Sequence, residues 1–285
     1  MSHSSLRRLV TTTTVVLTAG LALAACGASD QPSQTTTSAQ PGVPQIKTVQ
    51  SGKLKTCTSL PYPPFQFDQS GKVVGFDVDM IDLVAKKMGV PQEIVDVQFD
   101  VIKGGSALNA GTCDVAAAGM TITDERKQNL DFSTPYFDEV IALMAGKGSG
   151  VKSLDDVKSK GLKLGVQAGT TSLDYANEKG FQPTQYNDAG KQLLAIQSGQ
   201  VDVILQDLPV VNDWLKKPEI SQKFELATEI KTGAQYGFAV KKGGNPELLK
   251  LVNQTIEEAL KNGTWTDLYT KWIGSKPEAT PTANP

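Results

Sequence analysis

Between residues 53 and 274, short apolar runs of strand character alternate with segments in which apolar residues return every three or four positions. Residues 54–58 predict a strand. Residues 79–88 place Met80, Leu83, Val84 and Met88 on one helical face, with Gly89 as the stop. A strand over 93–98, a helical turn over 106–110 and a buried strand over 114–118 follow. A second cycle opens at Ser153-Leu154-Asp155-Asp156, which has the form of a capping box. It continues with a strand over 163–166, helices over 172–179 and 189–198, and a strand over 201–205. The chain then predicts a strand over 236–240, a helix over 246–262 followed by Gly263, and a short helix over 266–272. Strands alternating with helices mean βαβ units and parallel sheet. Two such cycles, separated near the glycine-rich run 146–150, predict two α/β lobes. That run has neither GxxxxGK[ST] nor GxGxxG spacing, so it reads as a turn rather than a phosphate loop.

The flanks have a different character. Residues 1–25 carry Arg7 and Arg8, then an apolar stretch ending in alanines, the layout of a secretory signal with too weak a run for a membrane span. At its end, Leu23-Ala24-Ala25-Cys26 resembles the lipobox of bacterial lipoproteins, which makes Cys26 the expected site of lipidation and the membrane the expected anchor. Ordinary cleavage nearby, with Cys26 an incidental thiol, is the alternative. Residues 26–52 are rich in Ser, Thr, Gln and Pro and read as a disordered tether, and 275–285 as a frayed tail.

Composition narrows the function. The 285 residues are 39% hydrophobic and 20% charged, as in a soluble globular protein. Their net charge of −2 gives no sign of a nucleic-acid partner. Loss of 1–25 removes two arginines and no acid. The one histidine, His3, lies in that segment, so a processed chain has no histidine. That excludes Ser-His-Asp and Cys-His nucleophiles and HExxH zinc sites. With Cys26 consumed, Cys57 and Cys113 remain, and an exported chain makes a disulfide between them plausible, against two buried thiols. No cofactor or metal is expected.

A cleft that holds a free amino acid needs a guanidinium for the α-carboxylate and a carboxylate for the α-ammonium. Three segments following predicted strands fit. Residues 118–126 offer Gly119, Met120, Thr121 and Arg126, although Thr123 as an N-cap and Arg126 as a surface charge would look the same. Gly169-Thr170-Thr171-Ser172 offers free N–H groups at a helix start, and Gln206-Asp207 follows an apolar strand. Asp207, two residues before Pro209, is equally a good N-cap. Tyr62, in Tyr62-Pro63-Pro64-Phe65-Gln66-Phe67, and Phe99 are candidate aromatic walls; either ring could instead be core.

Taken in order, these segments resemble the polar amino-acid-binding proteins of ABC importers, solute-binding family 3. The matching stretches are Pro64-Phe65-Gln66-Phe67, Gly75-Phe76-Asp77-Val78-Asp79, Gly119-Met120-Thr121 with Asp124-Glu125-Arg126, Phe132-Ser133-Thr134-Pro135-Tyr136, Gln167-Ala168-Gly169-Thr170-Thr171, Leu205-Gln206-Asp207, Tyr236-Gly237 and Lys271-Trp272. The resemblance implies a two-lobed periplasmic-binding-protein-like fold, each lobe a mostly parallel sheet flanked by helices. Two crossover strands would join the first lobe, 53–143 and 237–274, to the second, 144–236. It implies that Arg126 clamps the α-carboxylate, helped by Thr121 and the Thr171 backbone, and that Asp207 and the Gly119 carbonyl take the α-ammonium. The expected partners are a free amino acid and an importer permease, with the protein a monomer. Relatives that bind basic amino acids place an aspartate where this chain has Ser59. Ser59, Gln167, Gln206 and Gln235 are therefore expected at the side-chain end, favouring a neutral polar ligand, glutamine first; Lys103, arriving from an unexpected loop, would favour an acid. A lyase or dehydratase on the same fold is the enzyme alternative, and would need a free acid or base in the cleft.

Overall fold

The computed structural model describes residues 46–277 and 279–282. The expected signal, the lipidation site Cys26 and most of the expected tether lie outside the described residues. The strands are β1 (Leu54–Thr58), β2 (Phe67–Gln69), β3 (Lys72–Val74), β4 (Gln92–Asp96), β5 (Val115–Ala116), β6 (Leu130–Phe132), β7 (Phe137–Gly146), β8 (Leu164–Gln167), β9 (Thr184–Tyr186), β10 (Val203–Asp207), β11 (Phe224–Tyr236) and β12 (Ala239–Lys241). Among the described residues they form a hairpin, β2-β3, and two five-stranded sheets, ordered β4-β1-β5-β12-β6 and β11-β7-β10-β8-β9.

Each sheet is mixed rather than mostly parallel. β1 runs parallel to β4 and β5, and β8 parallel to β9 and β10. β12 meets β5 and β6 antiparallel, as β7 meets β10 and β11. The antiparallel strands flank the two places where the chain changes sheets. The predicted strand over 236–240 is divided there: β11 ends in the second sheet at Tyr236 and β12 begins in the first at Ala239. All of β7 pairs in the second sheet, so the first change of sheet precedes Phe137 instead of falling near Met144.

Stacked rings hold these two connections side by side. Tyr136 lies on Phe238 with centroids 3.9 Å apart, and Phe137 on Tyr236 at 5.6 Å. Burying such rings contributes apolar area and a directed contact together. Gly237 sits between them because a Cβ there would come within 2.8 Å of the Ile122 side chain.

Several of the helices open on a side-chain cap. Ser153, Thr170, Asp188 and Asn245 each accept from a backbone N–H three residues on. The helix Phe76–Lys87 begins earlier than its periodicity suggested, since Phe76 and Asp77 are buried as its first turn. The tail is not wholly frayed: Pro281 is buried, and the Thr282 carbonyl accepts from Gln235 Nε2 on β11 at 2.8 Å.

Cys57 on β1 and Cys113, just before β5, are joined in a disulfide, with Cα atoms 5.6 Å apart. The bridge spans a sequence separation of 56, for which the chain-entropy account gives about 4 kcal/mol of stabilisation. The Cys57→Ser, Cys113→Ser double variant is therefore expected to melt well below the wild type, as followed by circular dichroism. An unchanged melting temperature would contradict this.

Candidate functional site

Ser59 and Tyr62 follow β1, Gly119 and Thr121 follow β5, Thr170 and Thr171 follow β8, and Asp207 ends β10. These are the carboxyl ends of strands, where open α/β sheets present their ligand crevices. The structure brings Ser59, Tyr62, Phe99, Gly119, Thr121, Arg126, Gln167, Thr170, Thr171 and Asp207 around one cavity of about 20 Å³ between the two sheets.

Arg126 is only 6% exposed. Its helix, Asp124–Lys127, is capped by Thr123, whose hydroxyl accepts from the Arg126 N–H, so the capping role and the buried guanidinium coexist. The guanidinium donates to the Thr121 carbonyl at 2.7 Å and, across the cleft, to the Gly169 carbonyl at 3.1 Å. Phe99 lies under it, ring centroid 5.4 Å from Cζ. Burial pulls the guanidinium below its usual range, opposed chiefly by the negative charge of Glu139.

Asp207 occupies the N-cap position of the helix Leu208–Leu215 but makes no capping bond with its side chain. Its Oδ2 accepts instead from the Tyr62 hydroxyl and, at 2.5 Å, from the Tyr236 hydroxyl. Burial raises both phenols well above their ordinary values, so both remain donors. The Asp207 carboxyl is itself pushed up to about 7 by burial and then by Glu139, against the two tyrosines and Arg126.

The Gly119 loop is held from behind. Asp77, wholly buried, accepts from the Gly119 N–H and the Tyr136 hydroxyl, each at 2.8 Å. Desolvation pushes its carboxyl to about 7 as well. Gly119 has φ +55°, and a Cβ there would approach the Tyr62 ring to 2.9 Å, so the wall and the loop require a glycine.

Several expected residues do not face the cavity. The Met120 side chain is 1% exposed and packs in the apolar cluster around Cys57, Phe99 and Ile102. Gln206 is consumed by the protein: its Oε1 accepts from the Asp207 N–H and lies 2.9 Å from the Tyr62 hydroxyl, whose proton goes to Asp207, and its Nε2 donates to Gln192. Gln235 turns away to Asp138 and the Thr282 carbonyl. Lys103 does not line the cavity; it stands beside Asp100, Nζ to Oδ1 3.9 Å, against Gly169.

Two residues escaped the sequence reading. Gln66, 1% exposed, lines the cavity; its Nε2 donates to the Ser59 carbonyl at 3.4 Å, while its buried Oε1 accepts no hydrogen bond. The buried Oε1 of Gln167 is likewise without a partner. The other is Glu139, which accepts from the hydroxyls of Thr121, Thr171 and Thr232. Gln66 lies inside the stretch Pro64-Phe65-Gln66-Phe67 but carries no signal there that it lines a cavity, and Glu139 has no local motif.

Residues 54–275 match the bacterial extracellular solute-binding proteins, family 3. The putative ABC transporter arginine-binding protein 2 of Escherichia coli is 33% identical over 225 residues, 77% of this chain and 90% of that protein. Among solved structures, an ancestral arginine-binding protein bound to arginine is 40% identical with a TM-score of 0.71, covering 78% of this chain and 98% of that one. An ancestral arginine-binding protein bound to glutamine is 39% identical with a TM-score of 0.72, covering 79% and 100%.

Asp77 and Asp207 give the ligand-free fold a defined pH response. Each holds its proton to about pH 7 when folded and releases it near 3.8 when unfolded. Their stabilisation is complete below about pH 4 and is lost as pH rises through 7, at up to about 1.4 kcal/mol per pH unit for each group. Denaturant unfolding between pH 4.5 and 7.5 is expected to show their negative slope, reduced in Asp207→Asn. An identical slope in that variant would contradict the assignment.

Proposed function

Because the chain belongs to the bacterial extracellular solute-binding proteins of family 3, which bind amino acids for ABC importers, we propose that it captures a neutral polar amino acid, glutamine first, between its two lobes. The α-carboxylate lies against the remaining donors of Arg126, which has five N–H groups and spends two on carbonyls. The α-ammonium lies against Asp207 and the Gly119 carbonyl, and the Tyr62 ring forms a wall. A cavity of about 20 Å³ is far below the ~300–1,000 Å³ of ligand pockets, so admission requires the lobes to part and delivery to the permease requires them to part again.

The observation that carries the side-chain assignment is the pair of unpartnered amide oxygens, Gln66 Oε1 and Gln167 Oε1, in the cavity wall. Buried acceptors without donors are costly, and a ligand side chain bearing N–H groups satisfies them. A glutamine amide and an arginine guanidinium both qualify; an aspartate or glutamate carboxylate does not. Between the two, charge decides for the amide. Asp207 is the one carboxylate among the described residues lining the cavity, and a desolvated guanidinium at the Ser59 end would lack an anionic partner.

The lyase reading has less support, because the carboxylates at the cleft are already committed, Asp207 to two tyrosines and Glu139 to three threonines. Among the described residues no helix is long and apolar enough to cross a membrane. Attachment to the membrane is assigned to a lipid on Cys26, on the strength of Leu23-Ala24-Ala25-Cys26.

A thermal-shift screen of the twenty amino acids is expected to give the largest stabilisation with glutamine and the next with asparagine; a larger shift with arginine or lysine would overturn the charge argument. In calorimetry, Arg126→Ala is expected to weaken binding at least about a hundredfold, since a charge-assisted hydrogen bond contributes ~1.5–3 kcal/mol and each 1.4 kcal/mol is about tenfold. Near-normal affinity in the folded variant would remove the carboxylate assignment.

A further inference from the structure

Glu139 is 3% exposed on β7, just past the first connection between the sheets, and the binding of an amino acid as described above gives it no role. Its Oε1 accepts from Thr121 Oγ1 and from Thr171 Oγ1, each at 2.6 Å, and its Oε2 from Thr232 Oγ1 at 2.7 Å. Among the described residues no lysine or arginine pairs with it. Thr121 comes from the loop after β5, in the first sheet; Thr171 starts a helix packed on the second; Thr232 lies on β11. One carboxylate thus gathers a hydroxyl from each side of the cleft and one from the strand that leads back across it.

A threonine hydroxyl has one proton and two lone pairs, and an ionised carboxylate only accepts. The Thr121 and Thr171 protons are therefore directed at Glu139 and away from the cavity that both residues line. What the two oxygens present to a ligand is lone pairs. With its proton on Glu139, the Thr121 hydroxyl is not a donor for the α-carboxylate, and any help from Thr121 there falls to its backbone.

We infer that Glu139 is a positioning residue that determines specificity at the head of the cleft: by taking the protons of Thr121 and Thr171 it makes both hydroxyls obligate acceptors, selecting a protonated α-ammonium and rejecting ligands without one. This rests on the amino-acid reading of the cleft. It is independent of which side chain the ligand carries, because every α-amino acid shares the head group.

The test measures the dissociation constants of L-glutamine and L-arginine, and of their α-deamino counterparts, by calorimetry on the full chain and on Glu139→Leu and Glu139→Gln. In the wild type the α-amino form is expected to bind at least about a hundredfold more tightly than its counterpart, from the loss of charge-assisted hydrogen bonds. In Glu139→Leu the freed hydroxyls can donate to a carboxylate, and this preference should shrink about tenfold or more. In Glu139→Gln the amide oxygen still accepts both protons, so the preference should stay within about threefold of the wild type, which a merely structural role of the charge would not give. An unchanged preference in Glu139→Leu, or an equal loss in the near-isosteric Glu139→Gln, would overturn the inference. If the wild type binds arginine and not glutamine, the side-chain assignment fails and the arginine pair decides this one. Binding of neither overturns both.

Discussion

Folding removes three ionisable side chains, Arg126, Glu139 and Asp207, from water at a single cleft, and the groups placed around them are the donors and acceptors they need. An isolated charge in an apolar interior costs far more than any one contact returns, so each must find oriented partners. The two sheets share the task. Arg126, from the first, reaches a carbonyl of the second at Gly169; Asp207, from the second, is met by Tyr62 of the first and by Tyr236 at the connection; Glu139 draws hydroxyls from both. These partners are all specific donors or acceptors, which fixes how the two sheets face one another more closely than apolar packing would.

The two connections between the sheets are packed against each other. They lie side by side, held by Tyr136 on Phe238 and Phe137 on Tyr236, with Gly237 where no side chain fits. Gln66 Oε1 and Gln167 Oε1, on two residues that line the cavity, stay buried without a hydrogen-bond partner.

Much of this was legible along the chain because it is local. The helices with clear apolar faces and polar caps, and the strand-to-loop segments carrying Gly119, Arg126, Thr170, Thr171 and Asp207, stand where their patterns place them. Nonlocal features were not. β7 and β11 are the longest strands, yet β11 is a half-exposed edge containing Glu, Lys, Thr and Gly with two register shifts, so it shows no clean alternation. Gln206 adjoins Asp207 in sequence, but successive strand residues face opposite ways, and it joins Gln192 instead. Glu139 and Gln66 acquire meaning only from hydroxyls and carbonyls brought together by the tertiary fold, and Asp77 only from the Gly119 loop it supports.

The proposed ligand is held by its head group, which completes the set formed by Arg126, Asp207 and the Glu139-directed hydroxyl of Thr121. A crystal structure of the protein grown with L-glutamine tests it most directly. The ligand ammonium is expected within about 3.2 Å of both an Asp207 carboxylate oxygen and Thr121 Oγ1, and the ligand carboxylate within the same distance of the Arg126 guanidinium. A ligand bound with its carboxylate on Thr121 Oγ1 and its ammonium away from Asp207, or bound outside the cleft, would contradict it.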